Sequence, residues 1–308
     1  MKRGVSSVTS PFCFKNLLKS AGTFDKILPV LNNYFFTKQM PPMCSADWEE
    51  LMKITRFGRS KRIAVAMMAV IMLMSVMLQG CASKSGSAAE NESDTIRWIN
   101  ASYAILTELN GWDYTMFPGV KTTELNKQIQ IASLEQWWDV TDRRSADETL
   151  NWALSEGHRT GFVEDAIYLE EMGFGEIPAD ERIAWELENF DIDEDDAWFF
   201  AQTYGFYEEY GEHAIDGWDY CRALNLLSFY YIAGYYTKEE ALDKSLEIAR
   251  TVQPMFDSWD DLVDSYLRGY EYWAEESSDE RREVYEDLKS RSDNPYAVDY
   301  HTTLEKNW

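Results

Sequence analysis

Between residues 94 and 293, apolar positions recur at three- and four-residue intervals with charged and small polar residues between them, and strand-like alternation is scarce. The spacing predicts helices over 95–110, 123–138, 146–157, 161–172, 179–189, 194–210, 217–233, 238–252, 259–276 and 279–290. Gly111, Gly157, Gly173, Gly175, Gly211 and Gly234 fall near the ends of these stretches, where left-handed caps are common. Ser145-Ala146-Asp147-Glu148, Thr237-Lys238-Glu239-Glu240 and Ser277-Ser278-Asp279-Glu280 have the form of capping boxes, and Pro178 stands where a first helical turn tolerates proline. Trp138-Asp139-Val140-Thr141, Phe190-Asp191-Ile192-Asp193 and Gly234-Tyr235-Tyr236-Thr237 read as one helix-start device used three times. The expected fold is all-α, a multi-helix bundle of about ten helices after an N-terminal signal segment, with a C-terminal tail over 294–308.

The N-terminal part has a different pattern. Lys53, Arg56, Arg59, Lys61 and Arg62 precede an uncharged apolar run over 63–78, which ends in Leu78-Gln79-Gly80-Cys81. A positive flank, an apolar run and a small-residue ending are the three parts of a signal peptide. The ending resembles the bacterial lipobox, and the resemblance implies a cut between Gly80 and Cys81, with the Cys81 thiol carrying diacylglycerol and palmitate-type acyl chains. The alternative is an uncleaved anchor over 63–82, which approaches the roughly 20 residues of a membrane span. Either arrangement puts the acidic helical region on the extracytoplasmic face of the cell membrane, because the positive flank precedes the apolar run. The signal peptide reads as 52–80, and Met52-Lys53-Ile54-Thr55-Arg56 would open it naturally, so 1–51 reads as an extension upstream of the true start. Met1 and Met52 both stand as candidate starts. Residues 81–93 are the lipidated cysteine and a small, polar, flexible linker, and the helical domain occupies 94–293.

Charge sharpens the division. The whole chain has formal net charge −25, yet residues 1–81 hold 11 basic against 4 acidic residues, which leaves 18 against 50, or −32, for residues 82–308. Such a field repels phosphate backbones and argues against nucleic acid, while favouring encounter with basic proteins or peptides and divalent cations. The plainer role of the same charge is solubility. With 45% hydrophobic and 15% aromatic residues, the chain is too apolar for intrinsic disorder. Its cysteines, Cys13, Cys44, Cys81 and Cys221, form no CxxC pair, so neither a disulfide framework nor a cysteine zinc site is expected, and Cys221 reads as buried packing.

Two stretches carry more than generic helix. One runs from Trp137-Trp138-Asp139-Val140 through Thr149-Leu150-Asn151-Trp152 to Glu156-Gly157-His158-Arg159. The other runs from Gly217-Trp218-Asp219-Tyr220-Cys221-Arg222 through Gly234-Tyr235 to Ser258-Trp259 and Gly269. Over about 130–275 they are similar to the bacterial domain of unknown function 1266 family, whose pattern is Asp, two residues, Arg, a Gly-Tyr turn, Ser-Trp and a late glycine. The resemblance implies a helical domain and supplies no activity.

Among ionisable residues, His158 comes after a glycine at a predicted helix end and is the one candidate general base, although capping and packing explain a histidine there more simply than catalysis does. His213 and His301 show no ligand spacing with it. Asp219 and Arg222, three apart on one predicted helix beside Trp218 and Tyr220, suggest a buried ion pair, and with Trp218 and Trp259 they are the structural or binding candidates. A second Gly-Trp-Asp-Tyr over 111–114 lacks the arginine. Asp191, Asp193 and Asp195 open like a calcium loop, but Asp196 and Gln202 stand where that loop needs glycine and glutamate. This acidic run and the stripe Asp257, Asp260, Asp261 and Asp264 both read as solvated faces, so no metal site is expected. No nucleophile elbow, zinc-protease motif, phosphate loop or dinucleotide fingerprint occurs, and no cofactor is implied. Three functions remain: a tethered binding domain for a basic or amphipathic partner, an enzyme of unknown reaction using His158 with nearby carboxylates, and an envelope structural or stress protein.

Overall fold

The computed structural model describes residues 92–308, so the 1–51 extension, the signal segment, Gly80, Cys81 and nearly all of the linker lie outside the described residues. Among the described residues are eleven α-helices and no strand. They are α1 (Asp94–Ser102), α2 (Ala104–Leu109), α3 (Glu124–Trp138), α4 (Arg143–Ser155), α5 (Gly157–Glu171), α6 (Arg182–Asn189), α7 (Glu194–Tyr210), α8 (Asp216–Ala233), α9 (Lys238–Val252), α10 (Trp259–Ala274) and α11 (Asp279–Ser290). None of these helices is long and apolar enough to cross a membrane. Residues 92–131 and 140–308 form one body; residues 132–139 are a second unit, the end of α3, in which Leu134 is buried and Trp137 exposed.

The predicted 95–110 helix is two, because Tyr103 leaves helical geometry at φ −125° and ψ 21°. Of the three expected capping boxes, only Thr237 with Glu240 forms. Before α4 the box is set one turn earlier, with Asp142 as the cap and Ser145 as its reciprocal partner. Ser278 caps no amide at α11; its hydroxyl turns to the Glu271 carboxylate, 2.6 Å away. The helix-start segments do lead into caps, Asp142, Asp193 and Thr237.

Helix α8 is the centre of the body. Fifteen of its eighteen residues are buried, so it is apolar on nearly every side, as a helix enclosed by others must be. It packs on α4, α9 and α10. At the α8–α10 crossing, a Cβ on Gly269 would lie 2.1 Å from the Trp218 Cβ, so only glycine admits this large ring. The 294–308 segment is built into the body rather than trailing from it. Val298, Tyr300 and Leu304 are buried, and the indole N–H groups of Trp98 and Trp259 donate to the carbonyls of Tyr300 and Val298 at 2.9 and 2.8 Å.

Candidate functional site

The sequence-predicted residues His158 and Asp219 meet where α5 begins. Gly157 holds φ +63°, a turn that suits glycine, and a Cβ there would lie 2.2 Å from Asp219 Oδ2. This lets the next two residues close on the Asp219 carboxylate. Oδ1 accepts the His158 backbone N–H and the His158 Nδ1–H, both at 2.9 Å. Oδ2 accepts the Arg159 backbone N–H and Nη1, both at 3.0 Å. An ionised carboxylate only accepts, so the imidazole proton must sit on Nδ1. Asp219, only 1% exposed, thus serves α5 as a cap donated from another helix, satisfying free amides at its positive end.

Arg159 extends the tie. Its guanidinium donates to the carbonyls of Ala153 and Leu154 at 2.9 and 2.5 Å, closing the C-terminal end of α4. It also stands 4.0 Å from Asp216, a buried carboxylate whose other oxygen lies 3.0 Å from Nδ1 of the exposed His213. Burial raises the Asp216 carboxyl above its ordinary range, while His213 and Arg159 pull it back. One arginine and two aspartates therefore join the ends of α4, α5 and α8. Asp216 and the part played by Arg159 carry no signal in the sequence pattern.

Asp219 and Arg222 lie on one helix, α8, as their spacing predicts. The carboxylate is taken by α5, and the Arg222 guanidinium lies over the Trp218 ring, 5.1 Å from its centroid. Burial is the main influence on Arg222 and pushes it down to about 10, with Asp219 only a lesser, opposing charge. Trp259 is a core residue: its ring lies 5.1 Å from both Trp98 and Tyr300. The His158 ring meets Trp152 and Trp218 edge-on at 5.1 and 6.2 Å and keeps 22% of its side chain exposed. The acidic runs do local work. Asp193 caps α7 by accepting from the amides of Asp195 and Asp196. Asp260 and Asp264, 65% and 42% exposed, pair with Lys289 and Arg282 of α11 on the solvated face.

A cavity of about 550 Å³ lies elsewhere, between α6 and α7. Its walls include Arg182, Ile183, Trp198, Gln202, Phe206 and Glu208, and His158 is not among them. Arg182 is buried, and its Nη2 donates to both carboxylate oxygens of Glu208 at 3.0 and 3.1 Å, with Tyr204 beneath the guanidinium. Next on α6, Glu186 is 2% exposed and its Oε2 has no hydrogen-bond partner. Burial first, and Asp196 second, push its carboxyl up to about 7. Across the outer side of α6, Ile183, Leu187 and Phe190 are each 38% exposed. Sequence reasoning missed this face, since an apolar period alone does not tell which side is covered.

A family model described as a protein of unknown function (DUF1266) matches residues 133–300. Comparison with curated proteins finds no match, and comparison with solved structures finds none either.

Proposed function

The chain belongs to the DUF1266 family of proteins of unknown function, and from that premise we propose that it is an extracytoplasmic lipoprotein, held to the cell membrane through lipid on Cys81, whose helical domain binds a basic or amphipathic partner. The observation that carries the binding role is the contrast between interior and exterior. The central carboxylate, Asp219, has four donors and is used up in joining helices. The outside carries most of a −32 charge together with exposed large apolar residues, including Trp273 at 47% and Phe190 at 38%. Aromatic side chains and long-range attraction are what interfaces and encounter use.

Two measurements test the two halves of the reading. Intact mass of chain made in a bacterial host should give an acylated N-terminus at Cys81, with a heavier precursor under a lipoprotein signal-peptidase inhibitor; an unmodified full-length mass overturns the lipid anchor. Calorimetric titration with a Lys/Leu amphipathic peptide should show saturable binding that a Glu/Leu peptide lacks. Equal or absent heats for the two peptides overturn the binding role.

One contact favours an enzyme as the second reading. His158 has its Nδ1 held at 2.9 Å by a buried carboxylate, the geometry that orients an imidazole as a base, and its side chain is 22% exposed. Acylation of His158 by diethyl pyrocarbonate under native conditions is required by that reading, and a protected ring removes it.

A further inference from the structure

Helices α6 and α7 combine three features on one face of the body. The first is charge. Residues 176–212 contain thirteen Asp and Glu and a single basic residue, Arg182. That arginine is 2% exposed and faces Glu208, so the segment presents no free positive charge. Asp180, Glu181, Glu188, Glu208 and Glu209 are all exposed around it.

The second feature is an apolar stripe. Ile183 and Leu187 are four residues apart on one face of α6, and Phe190, which leaves helical geometry at the end of α6 and sets its ring 5.5 Å from Trp185, is as exposed as they are. The inner face is already occupied, since Trp185 packs edge-on against Phe174. The third feature is the cavity, which Ile183 lines together with Trp198 and Phe206 from α7. Ile183 belongs to both stripe and cavity, so the apolar surface runs from the outer side of α6 into the space between the helices.

We propose that this acid-rimmed face of α6 and α7 is the docking site for a basic amphipathic helix of a partner protein, about two to three turns long, with its apolar side on Ile183, Leu187 and Phe190 and its lysines or arginines on the surrounding carboxylates. The inference rests on the proposed binding role and assigns it a place. A helix matches because two turns of partner present apolar residues along one face, as Ile183 and Leu187 stand on α6. A second copy of this chain is disfavoured as occupant, since it would bring the same thirteen carboxylates against themselves.

The test uses the full chain in zwitterionic lipid nanodiscs and an 18-residue Lys/Leu amphipathic helix bearing a fluorophore. Ile183→Ser with Leu187→Ser should weaken binding at least tenfold with unchanged circular dichroism, while Ile167→Ser with Tyr168→Ser, on the exposed part of α5, should change it less than twofold. A benzophenone-bearing version of the peptide should crosslink wild-type protein within residues 179–210, a readout that needs no variant to fold. If wild type binds but neither the double variant nor the crosslink maps to α6 and α7, this site is wrong and the broader binding role stands. If a scrambled Lys/Leu peptide binds equally well, the face does not read a helix and the proposal is overturned. Failure of wild type to bind any basic peptide removes both. A dimer that the Ile183 and Leu187 changes convert to monomer gives the face to a second copy instead.

Discussion

Asp219 shows how one side chain can be fixed by residues far away in the chain. Its oxygens hold two backbone amides, an imidazole and a guanidinium, all supplied by residues 158 and 159. Asp219→Ala would strip the partner from a guanidinium only 16% exposed and should cost about 3–5 kcal/mol in urea unfolding. Gly157→Ala should also destabilise, because φ is +63° and the new Cβ would meet Oδ2. With Asp219→Ala already present, the collision with the carboxylate is gone, and what remains is backbone strain of about 1–3 kcal/mol and a contact with Arg159 Nη1, the end of a flexible side chain that can shift. The two changes should therefore be less than additive, and strict additivity would show that they do not touch. Glu186 gives a second prediction, in pH. Its folded value of about 7 lies above the ordinary 4.5, so the folded state holds this proton more tightly than the unfolded chain. Its contribution to stability is full below pH 4.5 and is lost as pH rises through 7, on the order of 3 kcal/mol at most. Glu186→Gln should flatten that decline between pH 5 and 8. A decline of unchanged slope would assign it to other carboxylates.

At the scale of elements, periodicity is a good guide to what lies within one helix and a poor one to what joins two. The predicted 194–210, 238–252 and 279–290 match α7, α9 and α11 at both ends, because strong local signals, such as the Thr237 cap with Glu240, mark their starts. Helical spacing relates only residues on the same helix, such as Asp219 and Arg222, whereas the partners that Asp219 holds on α5 lie 60 and 61 positions away. The family-like pattern has a structural explanation at several points. Asp219 caps α5, Gly234 ends α8 with φ 78°, Ser258 caps α10, Trp259 holds the last segment, and Gly269 makes room for Trp218. That segment, 294–308, reads from sequence as a tail because Val298, Tyr300 and Leu304 are buried without helical period. It behaves as an integral element: beside the two indole bonds, the Leu304 carbonyl accepts from Arg250 at 2.7 Å and that of Thr302 from Gln253 at 2.9 Å. Truncation after residue 294 should lower the thermal midpoint and shift tryptophan emission to the red as Trp98 and Trp259 gain water. Unchanged emission would mean that these rings are covered without the segment.

For the whole molecule, the question is whether a charge of −32 on residues 82–308 serves recognition or only solubility, and salt separates the two. Like charges at this density oppose the folded state, which brings them closer than an open chain does. Raising salt from about 0.1 M to about 1 M shortens the screening length from about 10 Å to about 3 Å, which weakens that repulsion. The thermal midpoint should therefore rise with sodium chloride under either role. Association with a basic helix responds with the opposite sign, because the attraction that draws the partner in is screened by the same ions. A recognition surface predicts that affinity falls, mainly through a slower on-rate, over the range in which stability rises. The apolar contacts of Ile183, Leu187 and Phe190 should hold the off-rate nearly constant meanwhile, since burial of apolar surface is not screened. Measured together on one preparation, stability and binding kinetics separate the two roles. Opposed trends with a salt-insensitive off-rate fit a charged rim around an apolar seat. A stability that rises while the on-rate stays flat would leave the acidic surface with solubility as its role and would require the partner to be held by the apolar stripe alone.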